Sequence, residues 1–303
     1  MFKIPPQFSL IFLTALAPAI WGSTYIVTTE FLPDGIPLLA STLRALPAGI
    51  LLILFCRQFP QGSWWLKLCL LGMLNIGIFF VCLFIAAYYL PGGIAAFVLS
   101  CQPILVILLS TLFLKEQFTS QYILTISLGI TGIGLLVLNT DSEMNWQGII
   151  SGIFGAISMS LGIVFSKYWG RPQTMSLISV TGWQLFFGGL FLLPIAIWYE
   201  GFPESFSPQN LLGFGYLSIF GAILSYFIWF YAIEKLSVVS MSFLGALSPL
   251  TASLLGYLIL EQSFHTSQVL GAIAILLSVY FSIPKSALGV TTHEKQNNMG
   301  SID

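Results

Sequence analysis

Charge is scarce in this chain, and the few charges are sorted by side. Apolar stretches mark ten segments, at about 8–29, 36–55, 67–89, 92–114, 121–138, 148–166, 176–198, 211–233, 237–260 and 267–284. With the N-terminus placed in the cytoplasm, Lys3, Arg57, Lys67, Lys115, Lys167, Arg171, Lys235, Lys285 and Lys295 all fall on the cytoplasmic face. The remaining basic residue, Arg44, lies inside a segment. Glu30, Asp34, Asp141, Glu143, Glu200, Glu204 and Glu261 fall on the opposite face or at segment ends. Nine basic residues against none in short loops is a strong positive-inside signal. It predicts an all-α membrane protein of ten transmembrane helices, multi-pass in the cytoplasmic (inner) membrane with both termini cytoplasmic.

Composition excludes the soluble alternatives. Charged residues are 7% of the 303-residue chain and hydrophobic residues 57%, against about 25% charged in a soluble domain. The uncharged stretch from Gly92 to Leu114 reaches ~34 Å as a helix, more than the ~30 Å hydrocarbon core. Ten such segments separated by short loops leave little room for a soluble domain. The first segment has Lys3 ahead of an apolar run with Ala15-Leu16-Ala17, but its length and the Trp21 that follows read as a span rather than a cleaved signal. No basic run suggests nucleic acid. Cys56, Cys69, Cys82 and Cys101 form no CxxC pair, and the histidines are His265 and His293, so neither a metal site nor a cofactor is predicted.

The chain reads as five spans followed by five more, with a first repeat at 8–138, a second at 148–284 and a cytoplasmic tail at 285–303. Leu90 through Pro103 to Glu116-Gln117 resembles Leu236 through Pro249 to Glu261-Gln262, and Thr-Ser-Gln follows each at 119–121 and 266–268. Arg44 to Gly49 lies over Gln184 to Gly189 at a constant offset of 140. Five is odd, so the second copy enters the membrane from the opposite face. Two such halves are the mark of an inverted-repeat transporter, in which each half can adopt the other's conformation.

Several residues could carry transport. Pro103 and Pro249 interrupt the fourth and ninth spans and free the carbonyls of Leu99 and Gly245, as hinges or cavity walls. Gln102 and Ser248 precede them. Asn75, Phe79, Cys82 and Ala86 share one face of the third span, and Ala222, Tyr226, Trp229 and Ile233 one face of the eighth. Trp21 with Tyr25, and Trp183 with Phe187, pair on the first and seventh. Aromatics here would offer flat surfaces to an amphipathic substrate. The bland alternative is helix packing, and Trp64, Trp65, Trp146 and Trp198 sit near span ends where interfacial belts belong. Gly148, Gly152 and Gly155 read as a close-packing stripe. Arg44 either meets a substrate anion in a cavity or satisfies carbonyls freed by Pro47 or Pro103; its repeat counterpart is the neutral Gln184. No Asp, Glu or His lies well inside a span, so proton relay is not indicated and facilitated diffusion or exchange fits at least as well.

With Trp21-Gly22-Ser23, Arg44, and the Pro103 and Pro249 helices ending in Glu-Gln, the chain resembles the EamA family of the drug/metabolite transporter superfamily over about residues 8–284. The resemblance implies export or exchange of amino acids, other metabolites or drug-like compounds. It also implies a central cavity between the halves, with the fifth and tenth helices at the periphery. Ser158-Met159-Ser160 departs from the pattern, since many members carry a Trp there. The expected substrate is a small organic molecule, the surroundings a lipid bilayer, and the working unit a monomer moving its substrate by alternating access. The rivals are an intramembrane enzyme, which lacks a base to pair with a nucleophile, and a non-transporting assembly subunit, which lacks a soluble platform.

Overall fold

A computed structural model of the chain describes residues 6–90, 98–99, 101–137, 145–259 and 265–283. Among these, every regular element is helical. They form α1 (Pro6–Phe31), α2 (Pro37–Cys56) and α3, which runs from Trp64–Gly72 through Met73–Gly77 into Ile78–Tyr89. The first half closes with α4 (Gln102–Leu109 and Ser110–Leu114) and α5 (Ser120–Val137). The second half holds α6 (Trp146–Trp169), α7 (Leu177–Tyr199) and α8 (Pro208–Tyr216, Leu217–Leu224 and Ser225–Lys235). It ends in α9 (Val238–Leu244 and Leu247–Ile259) and α10 (Thr266–Ser282). The linker from 138 to 144 and the tail from 284 lie outside the described residues, as do Pro91, Gly92, Glu261 and Gln262.

Local chemistry explains the helix ends. Pro37 opens α2, where a missing N–H costs nothing. Asn145, Ser176, Ser207 and Ser237 accept backbone N–H groups at the starts of α6 to α9. Arg57 (φ 50°) and Lys115 (φ 57°) adopt the left-handed conformation that ends α2 and α4. Among the described residues seven helices are long and apolar enough to cross a membrane, and the described parts of α4, α5 and α10 are shorter apolar helices. Large apolar side chains point outward, among them Phe55 at 79% and Leu66 at 74% exposure. Such a surface needs lipid as its solvent.

The halves pack as a reciprocal pair. At the centre α2 crosses α7. A methyl group added at Gly49 would stand 2.4 Å from the Phe186 nitrogen, and one at Gly189 would stand 2.6 Å from the Leu46 nitrogen. Both pairs obey the offset of 140 residues, so each half presents the same glycine to the same backbone of the other. Around this axis α1 packs on α8 and α9, while α6 packs on α3 and α4. The helix ends are exchanged too. Glu200, just past α7, accepts from the N–H groups of Leu38 (2.8 Å) and Leu39 (2.7 Å) at the start of α2. Gln58, just past α2, accepts from the Ser176 N–H at the start of α7 at 2.6 Å. The fifth helices α5 and α10 lie against each other, with Gly132 close to the Gly271 carbonyl.

The prolines break their helices differently from the expectation of a freed carbonyl in mid-span. Pro249 sits in the first turn of Leu247–Ile259, after a turn at Gly245-Ala246 that splits α9. The Gly245 carbonyl is not left free, because the Ser248 N–H takes it at 3.1 Å. Pro103 likewise begins Gln102–Leu109, behind a tight turn in which Cys101 bonds back to Val98 at 3.3 Å. Each proline therefore starts a new half-helix, and at Pro249 the local chain tightens to re-use the acceptor. Gly22 of α1 crosses α9 at this break: a methyl group there would stand 2.6 Å from the Ser248 carbonyl oxygen. That close approach is the physical reason for glycine between Trp21 and Ser23.

Candidate functional site

Two buried polar clusters lie near the middle of the bundle, one in each set of facing helices. The first gathers on Gly221, midway along α8, where Leu217–Leu224 winds with widened turns. Such segments present carbonyls sideways and recur at functional positions. The Gly221 carbonyl accepts from Arg44 Nη2 at 2.6 Å and from the Trp21 indole N–H at 3.1 Å. Arg44 is 7% exposed, its guanidinium carbon stands 5.5 Å from the Phe80 ring centre, and its Nε–H has no partner. The Trp21 ring lies 5.2 Å from Tyr226 and 5.0 Å from Trp229. Both rings come from the α8 face that also carries Ala222 and Ile233, and all four are buried. The Trp229 indole N–H is buried without a partner.

Arg44 thus does not use the carbonyls that Pro47 or Pro103 was expected to free. The acceptor four residues before Pro47, Leu43 O, is taken by the Ser218 hydroxyl at 3.0 Å. α2 and α8 therefore exchange two side chain-to-backbone bonds, in opposite senses. Each compensates a backbone or side-chain group that lipid could not satisfy.

The second cluster occupies the corresponding place in the other half. Asn75 lies in the widened segment Met73–Gly77 of α3, and its amide donates to Gln184 Oε1 at 3.0 Å and to Ser166 Oγ at 3.3 Å. Gln184 is the repeat counterpart of Arg44, so a buried amide stands where the first cluster has a cation. Asn75 Oδ1 has no partner and lies over Gly162, where a methyl group would come within 2.2 Å of it. Cys82 and Ala86, on the same face, meet Gly155 and Gly152, so this face packs on α6. Beside this cluster a narrow pocket, with room for about one water, is lined by Ser166, Gln184, Phe230, Arg171 and Glu234. Arg171 and Glu234 pair at 3.1 Å beside it.

The other residues singled out by sequence are scattered. Trp183 stands apart, with its indole N–H on the Gln58 carbonyl at 2.9 Å and its ring among Phe59, Trp65, Phe186 and Phe187. One step along α7 from Gln184 turns it about 100°, away from the pseudo-axis. Phe79 is half-buried and packs on Phe80. Gln102 contributes its backbone carbonyl, 3.3 Å from the Ser160 hydroxyl, and Ser248 the carbonyl facing Gly22. The Tyr25 side chain lies outside the described residues. Where an α6 Trp is absent, Ser158 donates to the Leu74 carbonyl at 2.8 Å and Ser160 to Ala156 at 2.6 Å. Ser158 thus ties α6 to α3, and Ser160, shared between Ala156 and Gln102, ties it to α4. Gly221, Ser218, Ser166 and Phe80 were missed by sequence reasoning. Only the isolated serines of apolar helices could have signalled two of them.

Comparison with known proteins decides the family. The EamA-like transporter family matches residues 8–138 and 146–283, one match in each half. The chain belongs to that family. Protein PecM of Dickeya dadantii is 47% identical over 259 residues, covering 86% of this chain and 87% of that protein. An uncharacterized transporter of Synechocystis, sll0355, is 30% identical over 295 residues, covering 88% of each. A crystal structure only 16% identical in sequence shares the fold at a TM-score of 0.76, over 90% of this chain and 98% of that one. The protein is a multi-pass membrane transporter built from two EamA repeats.

Proposed function

We propose that this EamA protein exports small organic metabolites, amino acids or related amphipathic compounds, by alternating access between its two inverted repeats. On this reading it lies in the inner membrane with both termini cytoplasmic, and the units that move are residues 8–138 and 148–284, acting within a single chain. The observation that carries the reading is the reciprocal packing at the α2–α7 crossing. Gly49 on Phe186 and Gly189 on Leu46 are equivalent contacts, so exchanging the conformations of the two halves leaves this contact intact. What changes in such an exchange is the outer ring, where α8 on α2 and α3 on α7 meet through the two polar clusters. The breaks before Pro103 and Pro249, and the widened turns of α3 and α8, supply places for the helices to bend. The Asn75–Gln184 cluster and the Arg44–Gly221 cluster are then the two ends of one central substrate path.

The test is solute counterflow in liposomes holding only the purified chain, preloaded in turn with aromatic, aliphatic and charged amino acids. Saturable, chemically unchanged exchange of at least one class is expected. Leak indistinguishable from empty liposomes for every class would overturn the metabolite-export reading.

A further inference from the structure

The Arg44 cluster holds donors without acceptors. Arg in mid-membrane costs roughly 2.5–3.5 kcal/mol on insertion scales, so its charge calls for compensation. Among the described residues the ion pair is Arg171–Glu234, and no carboxylate pairs with Arg44. Its compensation is a neutral carbonyl on Nη2 and an aromatic face, while Nε–H stays unpaired. A second orphan donor, the Trp229 indole N–H, borders the same Trp21 ring. Buried donors that find no acceptor in the protein call for one from outside it, a water, an ion or a ligand.

We infer that the Arg44 cluster binds the carboxylate of a flat, aromatic or comparably apolar organic anion. The inference rests on the transport reading and names its substrate class. The Nε–H and one Nη2–H of a guanidinium point along one edge, spaced for the two oxygens of a carboxylate. Gly221 O now occupies the Nη2 half of that edge, and Nε lies directly above Gly221, 3.3 Å from where a methyl group would stand. An entering carboxylate displaces the carbonyl, gains both donors, and removes one of the two hydrogen bonds that tie α8 to α2. The apolar body of the ligand then lies among Trp21, Tyr226 and Trp229, which take a π-face at little entropic cost. Substrate binding is thereby tied to loosening of an inter-repeat contact. Glycine at 221 follows, because any side chain would press on the Arg44 edge.

The experiment measures binding first and flux second. Detergent-purified protein is titrated with indole-3-acetate, the neutral indole-3-acetamide, acetate and sulfate, following thermal stability and tryptophan fluorescence. Indole-3-acetate is expected to stabilise the wild type, with acetate, sulfate and the amide at least tenfold weaker. Arg44→Gln should lose that preference for acid over amide. Trp229→Phe, which keeps a six-membered aromatic ring but removes the orphan donor with the five-membered half of the indole, should weaken the acid severalfold in a protein that still folds, at a melting temperature lowered by the lost packing. The Phe variant keeps the test decisive if Arg44→Gln does not fold. Equal responses to acid and amide, or to indole-3-acetate and sulfate, would overturn the inference. So would unchanged acid binding in Trp229→Phe. Anion binding without counterflow of any solute would instead sink the transport reading and leave the site standing.

Discussion

Gly49 of α2 lies directly on the backbone nitrogen of Phe186 in α7, so close that a methyl group there would stand at 2.4 Å. The neighbour is main chain and cannot rotate away. Gly49→Ala must push two central helices apart, and overpacking of this kind costs about 1–3 kcal/mol, against ~1 kcal/mol gained in helix propensity. Gly189→Ala should behave alike, because it meets Leu46 in the same way. Gly215, in contrast, has open space around its missing side chain. Thermal unfolding monitored by size-exclusion chromatography should show lowered melting temperatures for Gly49→Ala and Gly189→Ala, and a neutral or raised one for Gly215→Ala. A stabilised Gly49→Ala would refute the close crossing.

Asn75 and Gln184 should be energetically coupled. Hydrogen bonds between membrane helices measured by double-mutant cycles average about 0.6 kcal/mol. Asn75→Ala and Gln184→Ala should therefore destabilise separately, and the double variant by about 0.6 kcal/mol less than their sum. Strict additivity would mean that the 3.0 Å contact contributes nothing.

Glu200 ties the end of α7 to the start of α2. Replacing a helix cap by alanine costs typically ~1 kcal/mol, which is the loss expected for Glu200→Ala. Partial burial pushes the Glu200 carboxyl above its usual range, opposed by the bonds from Leu38 and Leu39. A carboxyl raised in the folded state favours folding when protonated, and that contribution fades as pH rises from the ordinary 4.5 through the raised value. Wild-type stability relative to Glu200→Gln should accordingly decline across that window and stay level above it. A rise with pH in the same comparison would reverse the assignment.

The proline breaks should govern rate rather than assembly. Pro103→Ala and Pro249→Ala restore helix-forming residues at the starts of their half-helices, so inserted, folded protein is expected, with slower counterflow. Wild-type exchange rates in both would leave the breaks as packing features.

Sidedness can be read directly. A reporter active only in the cytoplasm should work when fused after Gln173, beside Lys167 and Arg171, and fail when fused after Pro203, between Glu200 and Glu204. The opposite pattern would invert the protein in the membrane.

The sequence by itself determined the ten spans, their likeness in two halves and the position of both helix breaks. Composition and proline act locally, along the chain: an apolar stretch such as 37–56 has to be a helix in lipid, and Pro249 cannot continue one. The correspondence of Gly49 with Gly189 was also legible, because the two recur at a fixed offset. Partner choice was not. Arg44 bonds to the carbonyl of Gly221, and a carbonyl carries no residue-specific signal. Trp183 shared a helix with Gln184 and the residue type of a cavity wall, yet one 100° step sent it into the Gln58 and Trp65 cluster. Helical spacing records which residues share a face; only the packed helices decide which way that face turns and which backbone it meets.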